Sequence, residues 1–271
     1  MGDVQKPIVL ISPAMAIGSR YYGPLVTSFG RHGWDARALA RRGFEQDLPR
    51  ASRRADWSYA DEIADLGEAV RAARAEQADR PVIVLGHSLG GQIAAGLSLT
   101  SSDADDRPDA FVGIGTSTPF FRRYPHAGIP VLAAGAMAWP LTLAFGYLPK
   151  PAFGAPGART LMREWGRWAV TGRPPFRADG RFDVPSLIIK LQADPYAVSA
   201  ATDDFVERFC DPGLTTRWTY TAKAAGPHGT TDHVRWVRSP DVVVDRVVDW
   251  FAQASANASS GGQVQARLRS P

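Results

Sequence analysis

The sequence predicts an α/β protein: a mainly parallel sheet of about six strands flanked by helices, broken by one helical insertion. Three observations carry this. Short apolar runs ending in turn residues alternate with stretches of helical periodicity. Runs such as "PVIVLG" (81–86) and "PSLIIKL" (185–191) are apolar at consecutive positions, as strands buried on both faces are. The alternation stops near residue 117, where Pro, Gly and aromatic residues accumulate, and resumes near 180.

In chain order, "PIVLIS" (7–12) reads as the first strand and "YYGPLVTSFGRHG" (21–33) as a helix closing at Gly33. "WDARAL" (34–39) is a weaker strand. Residues 57–77 read as a helix with Ile63, Leu66, Val70 and Ala73 on one face. The strand at 81–86 leads to a helix at 92–99, and "AFVGIGT" (110–116) is the next strand. Beyond the insertion come the strand at 185–191, a helix at 202–209 with Thr202 as N-cap, and the strand "TTRWTYT" (215–221). The helix at 239–254 has Ser239 as N-cap and Pro240 at the first helical position. Residues 1–116 and 181–253 therefore form a core, 117–180 a cap, and the polar segment 254–271 a disordered tail.

With 271 residues, 45% hydrophobic and 21% charged, the chain has an ordinary globular composition. Net charge is +4, but the basic residues are scattered and not interleaved with aromatics, which excludes a nucleic-acid partner. Cys210 is the single cysteine, so neither a disulfide framework nor a thiolate metal site is expected within the chain. The N-terminal "MGDVQKP" carries no apolar signal region, and Lys6 breaks the myristoylation pattern. A cytoplasmic protein is expected.

The chemistry is concentrated in "VIVLGHSLGGQIAAG" (82–96), where a buried strand enters Gly-His-Ser-Leu-Gly and a helix of small residues leaves it. That is the context a G-x-S-x-G nucleophile elbow requires. A strained turn exposes the Ser88 hydroxyl. Gly86 and Gly90 let strand and helix cross closely, and the turn aims the Leu89 N–H at a developing oxyanion. His87 is adjacent to Ser88 and points elsewhere; its expected role is to position the elbow. A serine hydroxyl needs a base. His32 and His126 lie at a helix end and in the insertion, leaving His228 and His233, both after the last strand.

An elbow serine, a later acid and a last histidine occur in the order found in the α/β-hydrolases, and the chain resembles that family. "GHSLGGQ", "REWGRW" (163–168) and "DHVRWVRSP" (232–240) further resemble a group of poorly characterised bacterial serine hydrolases. The resemblance spans residues 8–253. It implies that the base stands just before an aromatic-rich segment leading to the last helix, which favours His233 over His228. It implies Asp194, just past the strand at 185–191, as the carboxylate orienting His233; an Asp-Pro turn starter is the other reading of that residue. A second oxyanion donor comes from the loop after the first strand. Pro13 has no N–H, so the donor is Met15 or, in another register, Ala14. Few residues precede the first strand, so the family's first two strands are expected to be missing and the sheet to have six strands, or the start codon is placed too late.

The insertion holds "AGIPVLAAGAMAWPLTLAFGY" (127–147), long enough to span a bilayer. Pro130 and Pro140 should break it, and a span would cut the sheet in two, so it reads as a cap with no stable membrane insertion. Met137, Trp139 and Phe145 are expected to line a substrate pocket, as are Trp165 and Trp168, three apart on a second cap helix. An apolar cap favours a small hydrophobic ester or thioester, attacked by Ser88 without metal or organic cofactor. Acyl transfer, cyclisation or lyase chemistry on the same triad, and an inert binding protein, are the competing readings.

Overall fold

The computed structural model describes residues 5–101, 103–150 and 155–267. Six strands form one sheet: β1 (Ile8–Ser12), β2 (Asp35–Ala38), β3 (Val82–His87), β4 (Ala110–Ile114), β5 (Ser186–Leu191) and β6 (Thr215–Tyr220). All neighbours are parallel, in the order β2-β1-β3-β4-β5-β6. The predicted parallel sheet and its strand number are what the structure has.

The helices are α1 (Gly23–Arg31), α2 (Tyr59–Glu76), α3 (Leu89–Thr100), α4 (Ile129–Phe145), α5 (Arg159–Thr171), α6 (Ser199–Phe209), α7 (Ala222–Ala225) and α8 (Asp241–Arg267). Strand alternation sorts the core into two layers. Val9, Ile11, Ile83 and Leu85 pack with Leu25 and Phe29 of α1 and Val243, Val247 and Trp250 of α8. Ile8, Leu10, Val82 and Val84 face the other way, onto Leu66 and Val70 of α2, Ile93 of α3 and Phe205 and Phe209 of α6. Consecutive apolar residues in β1 and β3 are thus explained by two buried faces.

α4 and α5 lie between β4 and β5 and run antiparallel: Gly135 and Ala138 meet Gly166, and the Arg163 Nε donates to Thr142 Oγ1 at 2.8 Å. Pro130 falls in the first turn of α4, where no N–H is needed. Pro140 was expected to break the segment but lies inside α4. Gly135, Ala138 and Thr142, on both sides of Pro140, are buried against α5, and that packing holds the helix through the missing hydrogen bond.

Three boundaries also differ. α6 begins at Ser199, so Thr202 is a buried interior residue and not the N-cap; Ser199, Ala200 and Ala201 add a turn that the sequence reading placed outside. Ser239 does not cap α8, because its hydroxyl donates to the His228 carbonyl at 3.1 Å. α8 runs to Arg267, past residue 253 where the sequence reading ended the core. Once nucleated on the core, a helix adds each further residue at little cost. Residues 151–154 and 268–271, in the predicted cap and tail, lie outside the described residues.

Candidate active site

Ser88 stands between the end of β3 and the first residue of α3, with φ 53° and ψ −114°. A non-glycine residue at positive φ is strained, and such strain is stored where surrounding structure enforces it. The enforcement is visible. A Cβ at Gly90 would stand 2.0 Å from the Ser12 carbonyl oxygen, and one at Gly86 would stand 2.5 Å from Gly91 Cα. Glycine at both places lets the α3 N-terminus press against β1 and β3.

The Ser88 hydroxyl lies 3.1 Å from His233 Nε2, and His233 Nδ1 lies 2.6 Å from Asp194 Oδ2. With Nδ1–H donating to the carboxylate, Nε2 is left to accept the serine proton. Asp194 Oδ1 accepts from the backbone N–H groups of Tyr196 (2.8 Å) and Ala197 (3.0 Å). Asp194 thus starts the turn at Pro195 through one carboxylate oxygen and meets the His233 ring through the other. His233 and Asp194 are both buried, and Tyr196 packs its ring on His233 with centroids 5.2 Å apart. His228 is exposed; among the described residues its ring has no hydrogen-bond partner.

In the loop after β1, Ala14 and Met15 differ in what their N–H groups meet. The Ala14 N–H already donates to Tyr22 Oη at 2.8 Å. The carbonyl of the same peptide unit, Pro13 O, accepts from the buried Arg41 guanidinium, which also pairs with buried Glu62. Both ends of that peptide are held, which fixes the next N–H, that of Met15. The Met15 and Leu89 N–H groups have no acceptor among the described residues, and both residues line the cavity beside Ser88.

His87 links these parts. Its Nε2 lies 2.7 Å from the His233 carbonyl, which can only accept, and 3.3 Å from the Trp236 indole nitrogen; the shorter contact puts the proton on Nε2. Nδ1 then accepts from Tyr22 Oη at 2.9 Å. Ala14 N–H to Tyr22, Tyr22 to His87, and His87 to the His233 backbone make one buried chain from the loop after β1 to His233. Burial, reinforced by the neighbouring His233, holds the His87 pKa down to about 3, so the ring is neutral.

A cavity of about 450 Å³ opens on Ser88 and His233. Its apolar walls come from Met15, Ile17, Leu89, Pro119, Trp165 and Val234, and its polar groups from Gln92, Ser117, Tyr124 and Tyr196. Gln92 is locked: Tyr59 Oη donates to its Oε1, and its Nε2 donates to the Ser117 carbonyl, each at 2.8 Å. Burial pushes the Tyr124 phenol up to about 12, so it stays a protonated donor.

The chain matches the family model described as serine aminopeptidase, S33, over residues 3–211. It is an α/β-hydrolase of that family. Among solved structures it is similar to a monoacylglycerol lipase from Paleococcus ferrophilus (15% identity, TM-score 0.61, 92% of this chain and 96% of that one). It is also similar to a bromoperoxidase from Bacillus anthracis (16%, 0.59, 91% and 92%) and to the type II thioesterase BorB of the borrelidin biosynthetic cluster (17%, 0.55, 92% and 92%). No curated protein matches the chain significantly. At these identities the likenesses show the fold.

In this α/β-hydrolase α4 and α5 supply one of the five lining residues the sequence suggested. Trp165 lines the cavity. Trp168 does not: it is fully buried among Tyr59, Phe176 and Phe209, because α5 packs into the core on its other side. Met137, Trp139 and Phe145 face outward from α4, because the stripe of α4 that meets α5 is Gly135, Ala138 and Thr142. Sequence reasoning missed Tyr22, Gln92 and Tyr124. Tyr22 and Gln92 act through partners 8 to 65 residues away, and Tyr124 reaches Tyr196 across 72. No local pattern encodes such pairs.

Proposed function

We propose that this enzyme hydrolyses carboxylic esters or thioesters with a hydrophobic acyl or aromatic part, using Ser88, His233 and Asp194 as a catalytic triad. The carrying observation is the hydrogen-bonded chain from Ser88 through His233 to Asp194 beside a largely apolar cavity. Ser88 Oγ attacks the carbonyl carbon while His233 Nε2 takes its proton. The carbonyl π electrons move to oxygen, which the Leu89 and Met15 N–H groups receive. Asp194 stabilises the imidazolium. His233 then returns the proton to the leaving alcohol or thiol, and the acyl-enzyme forms. Water, deprotonated by the same histidine, repeats the sequence and frees the acid and Ser88. Every step uses these groups and water alone.

The lining also bears on the family's aminopeptidase description. Among the lining residues there is no carboxylate to bind a peptide's terminal ammonium, whereas the apolar walls suit an acyl chain. Likeness to a thioesterase and a monoacylglycerol lipase supports the same class. Residues 117–180 act as the cap that shapes this cavity through Pro119, Tyr124 and Trp165.

Labelling with a fluorophosphonate probe, alongside hydrolysis of an acyl-chain series of esters and thioesters, tests the reading. Ser88→Ala should abolish labelling, and His233→Ala should slow it by about three orders of magnitude or more. His228→Ala should label normally. Undiminished labelling of Ser88→Ala overturns the proposal; normal labelling of His233→Ala with loss in His228→Ala reassigns the base.

A further inference from the structure

Two properties of the cap have no part in ester hydrolysis. The first is where the apolar surface of α4 points. Its seventeen residues include no charged side chain, and its buried stripe, Gly135, Ala138 and Thr142, is taken up by α5. Ile129 is 63% exposed, Trp139 57% and Leu143 72%, with Met137 and Phe145 about half exposed. At about 200 Å² for a large apolar side chain, these five expose on the order of 500–600 Å². That is the upper end of what a soluble monomer tolerates. Among the described residues, His126–Phe145 is the one helical stretch long and apolar enough to cross a membrane, and little of it is buried.

The second is charge. Residues 117–180 carry eight Lys and Arg against two carboxylates, Glu164 and Asp179, a net +6 in a chain whose total is +4. The remainder is net −2. Several of these cations frame α4. Arg163 and Arg167 stand one turn apart on α5, and the Arg163 guanidinium lies 4.2 Å from the Trp139 ring centre. Arg122 precedes the α4 N-terminus. At its other end, Arg53 of the core donates to the Ala144 and Phe145 carbonyls. Of the two carboxylates, Glu164 accepts from the Tyr59 backbone N–H and Asp179 pairs with Arg177.

We propose that this face docks the enzyme on an anionic lipid surface, with α4 lying in the interfacial plane. Its apolar side chains enter the acyl boundary while the flanking arginines meet headgroup phosphates. Apart from the Trp139 indole N–H, the side chains of α4 offer this face no hydrogen-bonding group, since Thr142 is buried and bonded to Ala138 O and Arg163. A soluble protein docked there would bury its own polar groups unpaired, whereas hydrocarbon has none to satisfy. A second copy fits poorly as well. The area is below the roughly 800 Å² per partner of a stable interface, and pairing would set two net-positive caps together. Docking is peripheral, because α4 is packed on α5 within the fold. The proposal stands independently of the substrate, since it concerns a surface outside the Ser88 cavity.

Co-sedimentation with vesicles tests it. The full-length protein should sediment with phosphatidylcholine vesicles containing about 30 mol% phosphatidylglycerol, and at least about tenfold less with pure phosphatidylcholine. Raising salt from about 0.1 M to about 0.5 M should release much of it. Ile129→Gln/Leu143→Gln and Arg122→Glu/Arg167→Glu alter exposed side chains, so the wild-type melting temperature and cleavage of a water-soluble short-chain ester should persist. Each should weaken vesicle binding by about tenfold or more. Failure of the wild type to bind anionic vesicles, or binding that neither variant weakens, overturns the proposal. So does a dimer abolished by Ile129→Gln/Leu143→Gln without vesicle binding, which would assign the face to a second copy. Salt-sensitive binding to polyglutamate without vesicle binding would assign the cations to an acidic protein and overturn it equally.

Discussion

His87 occupies the variable position of the elbow pentapeptide, yet its ring is fully buried and bonded on both nitrogens, to Tyr22 and to the His233 carbonyl. A buried neutral histidine makes stability depend on pH. In the unfolded chain it titrates near 6.5, and in the folded protein near 3. Above 6.5 neither state binds the proton. Below it the unfolded state gains a proton that the folded state refuses, so stability falls as pH drops toward 3, by up to about 1.4 kcal/mol per unit. Between pH 7.5 and 5 this single site should remove about 2 kcal/mol, read from urea unfolding. His87→Gln keeps an acceptor for Tyr22 and a donor for the His233 carbonyl but does not titrate, so its loss over the same range should be smaller by that amount. Equal losses in the two proteins would assign the effect to other groups. At this scale the sequence was most legible where chemistry demands a local pattern. Ser88 followed from its pentapeptide; chain order left His228 and His233 open, and the resemblance to the α/β-hydrolases pointed to His233 and Asp194. Tyr22 carried no such signal, because its meaning lies in what it touches across the fold.

At the scale of elements, strands were readable because two buried faces require an unbroken apolar run. Helices α4 and α5 were harder. Trp165 and Trp168 stand three residues apart, and α5 is buried on two sides, so one entered the cavity wall and the other the core. The α4–α5 contact depends on glycine. A Cβ at Gly166 would come within 2.6 Å of the Gly135 carbonyl and 3.0 Å of Ala138 Cβ. Gly166→Ala improves intrinsic helix propensity by about 1 kcal/mol, but the overpacking costs about 1–3 kcal/mol and pushes the helices apart. Backbone atoms cannot yield as a flexible side chain can, so the second effect should win and the melting temperature should fall. Because α5 carries Trp165, KM for bulky esters should rise. Fluorophosphonate labelling of Ser88 should stay within about threefold of wild type, the elbow being formed by other elements. A labelling loss as large as the loss on bulky esters would place the triad, not the cap, under the control of this contact.

Across the whole molecule, Arg41 joins three parts of the chain: its own loop after β2, Glu62 on α2, and the Pro13 carbonyl in the loop after β1. In the sequence it was one of many dispersed arginines, beside half-buried Arg42, and only the fold separates the buried member of that pair from its neighbour. Burial raises the Glu62 pKa while Arg41 opposes the rise. Arg41→Met therefore leaves a carboxylate in the core without its cation, at a cost of about 3–5 kcal/mol. Arg41→Met/Glu62→Leu removes the stranded charge and should recover most of that loss, since an apolar pair of similar volume often replaces a buried ion pair without penalty. Activity should not recover with it. The Pro13 carbonyl remains unheld in the double variant, and the peptide that sets the Met15 N–H is then anchored only through Ala14 and Tyr22. The double variant should unfold within about 1 kcal/mol of wild type yet show kcat lower by about tenfold or more on a soluble ester, with KM little changed, because the missing interaction acts on the oxyanion. Recovery of kcat together with stability would mean that Tyr22 alone suffices to hold the loop.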